Sequence, residues 1–274
     1  MKNIIKKYPI ISKYIFAILL LFFALFVSGL LNKGVIKQYF PYASAICLFI
    51  ATWILLKTDH KKMSDYGLDF KTKNLKFFPL GILIGALVFL IAKYLRALCF
   101  GETINLSSTF NYKNILNGFY IMLPMVAVEE FLFRGYLFKK TIDISSVVIA
   151  NIIFSFLFML VHVFDSGVIN SIPMIIFTVI TIPIGHLLFA TAFLKSRSLL
   201  FAIGIHLGNN WGTRHLVSKF QNGDSIFYIT ENARFDTWLS FIAFILLWNL
   251  FYLIIIYIIW KWNYYPFFKW LKKG

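Results

Sequence analysis

Acidic residues are scarce in this chain, 11 Asp and Glu against 27 Lys and Arg in 274 residues. Charge of either sign is scarce too: it makes up 14% of the chain, where soluble domains carry about 25%. Only two cysteines occur, Cys47 and Cys99, both in or beside apolar runs. They exclude a disulfide framework, give no metal-ligand spacing, and read as thiols packed in a membrane. No polar stretch is long enough to build a core of its own; the longest are 57–76 and 212–237. No internal repeat or low-complexity tract is present. These absences exclude a disordered chain, a soluble enzyme and a nucleic-acid-binding domain, despite a net charge of +16.

What is present is apolar surface. Hydrophobic residues make up 60% of the chain, Phe alone occurs 32 times, and mean hydropathy is +0.78. A helix needs about 20 apolar residues to cross a bilayer. Eight stretches qualify or come close: 14–31, 40–56, 77–95, 116–138, 144–163, 169–194, 199–211 and 238–260. The expected fold is therefore all-α, a polytopic bundle of about eight transmembrane helices forming one membrane domain over residues 1–274. The seventh stretch is short unless it runs on toward Val217. Pro173 and Pro183 predict a kink or break in the sixth. Ser107–Thr109 and the residues after them suggest a helix lying at the interface before the fourth. No small-residue cleavage site follows Lys2, Lys6, Lys7 and Lys13, so the first run reads as a retained helix.

The cations supply the topology. With the N-terminus inside, 18 of the 27 fall on the inner side and 8 on the outer, while Arg134 lies within a helix. That bias predicts both termini in the cytoplasm, and an even helix count agrees. Trp260, Trp262, Tyr264, Tyr265 and Trp270 cluster as an interfacial belt. Abundant Phe, Ile, Lys, Asn and Tyr, residues with AT-rich codons, point to a bacterial cell-membrane protein.

The informative charges are those placed where charge is expensive. The fourth stretch contains Glu129, Glu130 and Arg134, and each ionised group there costs a few kcal/mol. Glu130 and Arg134 are one turn apart and can pair. Glu129 projects about 100° away from Glu130, so a structural salt bridge leaves it unexplained. The fifth stretch ends at His162. The seventh places His206 and Asn210 on one face, beside Gly204, Gly208 and Gly212, which allow a close helix neighbour. His186, in the sixth, has no polar partner one turn on and reads as packing or hydrogen bonding. A carboxylate can take a proton from water and a histidine can orient that water. A second histidine and an amide can hold the oxyanion of a tetrahedral intermediate. A hydrolytic zinc held by two histidines and a carboxylate is the alternative, without any His-Glu-x-x-His helix to support it.

At these residues the chain resembles the CAAX protease and bacteriocin-processing family (CPBP, or Abi). Glu129, Glu130 and Arg134 match Glu-Glu-x-x-x-Arg, Phe158 and His162 match Phe-x-x-x-His, and His206 and Asn210 match His-x-x-x-Asn. The resemblance covers roughly 116–211. It implies an intramembrane glutamate endopeptidase acting on a peptide or membrane-protein substrate within the lipid bilayer, with no cofactor. Glu129 would be the general base, aided by His162; His206 and Asn210 would form the oxyanion site; Glu130 and Arg134 would order it. Bacterial relatives suggest bacteriocin or peptide maturation and self-immunity, and a non-catalytic immunity protein or a transporter are the alternative readings. Neither substrate nor oligomeric state follows from the sequence. One tension is geometric. In straight parallel spans, Glu129 at mid-membrane and His162 at a helix end would stand roughly 10 Å or more apart along the normal.

Overall fold

A computed structural model describes residues 9–69, 71–109, 111–219 and 223–262. Lys2, Lys6, Lys7, Tyr264, Tyr265 and Trp270 lie outside the described residues. The chain folds as an all-α membrane bundle. Its helices are α1 (Pro9–Leu31), α2 (Gly34–Tyr39), α3 (Ala43–Thr58), α4 (Thr72–Phe100), α5 (Tyr112–Phe133), α6 (Tyr136–Ile144), α7 (Val147–Val163), α8 (Ser166–Ile169), α9 (Ile172–Ser196), α10 (Leu199–Trp211) and α11 (Trp238–Lys261). Five helical segments are long and apolar enough to cross a membrane: α1, α4, the run through α5 and α6, α9 and α11. The helices α3 and α7 are apolar but shorter.

Local chemistry sets many of the boundaries. Asn111, Ser146 and Thr237 accept hydrogen bonds from the backbone N–H three residues on, which caps α5, α7 and α11. Gly101 ends α4 in a left-handed turn. Large apolar side chains on α1, such as Phe22, Phe23 and Phe26, point outward, as lipid-facing positions do. Helix α10 is the opposite case: Phe201 through Gly208 are all buried. Surrounded by protein, it need not match the bilayer thickness, which accounts for its length of 13 residues. It continues as a wide turn, Gly212–Leu216.

The two ends of the bundle differ. At one, Lys13 of α1, Lys140 of α6 and the Tyr136 hydroxyl converge on Asp59 after α3, while Lys61 pairs with Asp143. This lysine-rich end also holds Lys73, which donates to the Ser196 carbonyl. At the other end a small sheet forms in the order β1 (Thr103–Leu106), β3 (Phe227–Glu231), β2 (Val217–Ser218), the first pair antiparallel and the second parallel. Beside it Glu102 is buried between Lys93 and Arg96 of α4. Burial alone would raise the Glu102 pKa; the bonds from Arg96 and Lys93 outweigh it and hold the carboxyl below its ordinary value.

Three sequence expectations change. The sixth stretch is one unbroken helix, because Pro173 sits in the first turn of α9, where no N–H partner is lost, and Pro183 is accommodated within it. The residues after Thr109 form no separate interface helix; strand β1 precedes them and Tyr112 already begins α5. The fourth stretch divides at Arg134–Gly135 into α5 and α6. A Cβ at Gly135 would press on the Phe131 carbonyl, so glycine permits this break.

The tightest helix pairing is α4 against α10. A Cβ at Gly81 or Gly85 would strike the α10 backbone, and one at Gly204 or Gly208 would strike the α4 backbone. The small residues seen in the sequence thus seat α10, with its polar side chains, in the bundle's centre.

Candidate active site

Glu129 and Glu130 occupy the last turn of α5, followed by Arg134 at its C-cap. Glu130 and Arg134 are fully buried. Arg134 Nη1 donates to Glu130 Oε1 at 3.0 Å, the one-turn pair the sequence suggested. The guanidinium also stacks over Phe158 at 4.1 Å and lies 5.1 Å from Phe189.

Two carboxylates meet one imidazole across the α5–α10 interface. His206 Nδ1 donates to Glu130 Oε1 at 2.7 Å, and its Nε2 stands 3.6 Å from Glu129 Oε2. The ring stacks on Phe189, centroids 4.2 Å apart and planes 15° apart. Held on one edge and one face, His206 has a fixed orientation. Glu129 differs from Glu130 in exposure: its side chain is 29% exposed where that of Glu130 is fully buried, while Oε2 of each is buried without a hydrogen-bond partner among the described residues.

His162 reaches the same cavity. The ring pairs Phe133–Phe158 and Phe138–Phe154 set α7 antiparallel against α5 and α6. On that register His162, four residues past Phe158, falls level with Glu129, four residues before Phe133. The depth mismatch expected for parallel spans disappears because α6 carries the chain further toward the lysine-rich end before α7 turns back. His162 Nδ1 lies 2.7 Å from the Phe158 carbonyl. A carbonyl only accepts, so Nδ1 carries the proton and Nε2 presents a lone pair.

These groups line one cavity of about 540 Å³. Glu129, His162, His206 and Asn210 all contribute to its wall, so every residue expected to act on a substrate is brought together. Glu130 and Arg134 stand behind that wall, linked to it through His206. His186 does not join them. It is buried between Phe138 and Phe158, and neither ring nitrogen has a hydrogen-bond partner among the described residues. Among the described residues no three His, Cys, Asp or Glu side chains are grouped to hold a metal ion.

Residues 111–212 match the family described as type II CAAX prenyl endopeptidase Rce1-like. All three motifs lie inside that segment, and the match bears out the resemblance they carried. That family description is of an endopeptidase, and the chain's apolar helices are those of a multi-pass membrane protein. No curated protein and no solved structure matches the chain.

The structure adds residues that the motifs did not single out. Phe189 supports both His206 and Arg134 yet belongs to no motif. Phe89, Phe177, Trp248 and Tyr252 form an aromatic wall, three of them from helices outside the matched segment. Only proximity in the fold reveals them.

Proposed function

We propose that the chain is an intramembrane endopeptidase that hydrolyses a peptide bond with water activated by Glu129, without a metal cofactor. The observation that carries this reading is the partly exposed Glu129 carboxylate in the wall of a cavity that His162, His206 and Asn210 also line. Water held between Glu129 and His162 Nε2 gives a proton to Glu129 as its oxygen attacks the substrate carbonyl carbon. The C–N bond then breaks, and Glu129 returns that proton to the leaving amine.

The developing oxyanion needs donors. Asn210 offers an amide N–H, and a protonated His206 offers Nε2–H while Nδ1–H stays on Glu130. Glu130 and Arg134 thus order the site rather than meet substrate.

The cation bias supports both termini lying in the cytoplasm, and the composition supports a bacterial cell membrane. We place the activity in peptide or bacteriocin maturation or self-immunity. The test incubates purified, reconstituted protein with a proteome-derived peptide library. Wild type should cleave a defined subset, and Glu129→Gln should lower the rate by about 10²–10⁴-fold. Equal biological activity in wild type, Glu129→Gln and His206→Ala would instead favour the non-catalytic immunity reading. Ion or solute flux through the liposomes would favour a transporter.

A further inference from the structure

Beyond the residues of the three motifs, the cavity holds a second polar pair. Asn209 lies three residues after His206 on α10, so it sits about 4.5 Å further along the helix axis. Its Nδ2 donates to the Tyr252 hydroxyl of α11 at 2.7 Å. Both side chains line the cavity. The hydroxyl is therefore used as an acceptor by Asn209, and its own hydrogen has no protein acceptor among the described residues. Tyr252 is 7% exposed and its ring stacks on Trp248 at 5.6 Å, which fixes where the oxygen sits. A hydroxyl held this way, in a largely aromatic wall, lacks one partner: an acceptor supplied by whatever fills the cavity.

Resting on the protease reading, we propose that Tyr252 donates a hydrogen bond to a backbone carbonyl of the bound peptide, with Asn209 orienting the hydroxyl. Tyr252 is a substrate-binding residue and takes no part in the bond-breaking step. It lies on α11, outside the segment that matches the family.

The experiment takes one library peptide that wild type cleaves and measures steady-state kinetics in reconstituted protein. Tyr252→Phe keeps the ring and removes the donor. It should raise KM about 3- to 10-fold, the scale of one neutral hydrogen bond, and leave kcat within twofold. Asn209→Ala should do the same more weakly, and the double variant should add nothing to Tyr252→Phe, because both changes act on one hydroxyl. Binding of the same peptide to Glu129→Gln protein, with and without Tyr252→Phe, reads the contact without turnover. An unchanged KM and unchanged binding in Tyr252→Phe overturn the proposal while leaving the protease reading intact. A fall in kcat that tracks a lowered thermal midpoint also overturns it, in favour of a structural role. Failure of wild type to cleave any peptide overturns both.

Discussion

His206 and Glu130 are joined by a 2.7 Å hydrogen bond from Nδ1 to Oε1, across two helices whose residues stand 76 apart in sequence. The same oxygen takes Arg134 Nη1 at 3.0 Å. Glu130 therefore fixes the imidazole that faces the cavity, and Arg134 holds Glu130 in place through the same oxygen. Glu129, one residue earlier, is left free of such bonds at Oε2. Two adjacent glutamates thus divide into one buried and bonded through Oε1 and one that lines the cavity.

Removing the support should be a matter of stability first. Arg134→Met leaves Glu130 buried with one fewer cation. Breaking a buried pair from one side costs about 3–5 kcal/mol, seen as a lowered unfolding midpoint in detergent. Adding Glu130→Gln should recover part of the loss, since the uncompensated charge then disappears. If the double variant is no more stable than Arg134→Met, the charge is not the cause.

His162 should behave in the opposite way. It is half-buried, and its Nδ1 is engaged only with the backbone of its own helix. His162→Ala removes the Nε2 lone pair from the cavity and one ring contact, the edge contact with Phe158. Cleavage should fall by about 10²-fold or more, with the unfolding midpoint close to wild type. A variant that cleaves normally would remove His162 from the water-activating role.

The bundle and the site differ in how legible they were. Hydropathy alone located all the main helices, because lipid-facing residues such as Phe22 and Leu19 must be apolar. The motif residues were legible for the complementary reason: Glu129, Glu130 and Arg134 are too costly in an apolar helix to be incidental. The break at Gly135 was not legible, since α5 and α6 form one continuous apolar stretch. That break, with the length of α6, is what brings His162 level with Glu129. The sheet order β1–β3–β2 joins residues more than a hundred positions apart, beyond any local pattern. Phe189 and Tyr252 are ordinary aromatic residues in sequence, and only the cavity gives them a role.

The seating of α10 on α4 predicts opposite signs at two glycines. A Cβ at Gly208 would fall inside contact distance of the Ile82 carbonyl, whereas one at Gly29 in α1 meets nothing within 4 Å. Gly208→Val should push the helices apart, at a cost of at least about 1–3 kcal/mol. Because His206 rides on α10, cleavage should fall with it. Gly29→Ala should instead stabilise by about 0.5–1 kcal/mol, the helix-interior difference between the two residues. Equal behaviour of both variants in a detergent unfolding assay would contradict the close approach.

Asp59 predicts a pH dependence at the lysine-rich end, away from the cavity. Its carboxylate is 5% exposed and takes bonds from Lys13 at 2.7 Å, Lys140 at 2.6 Å and Tyr136 at 2.8 Å. Burial alone would raise its pKa, but the bonds from Lys13, Lys140 and Tyr136 outweigh that and hold it well below the usual carboxylate range. In the unfolded chain the group returns to a pKa of about 4. Folding therefore favours the ionised form, and the stabilisation is whole above pH about 5 and lost as pH falls below about 4. Wild type should exceed Asp59→Asn by about 1.5–3 kcal/mol at pH 7, the scale of hydrogen bonds to a charged group. The gap should narrow steadily below pH about 4 as the unfolded carboxyl takes up its proton. Denaturant unfolding of both proteins across this range checks it: a gap that stays constant with pH would show that Asp59 contributes by shape and neutral hydrogen bonding, and not by its charge.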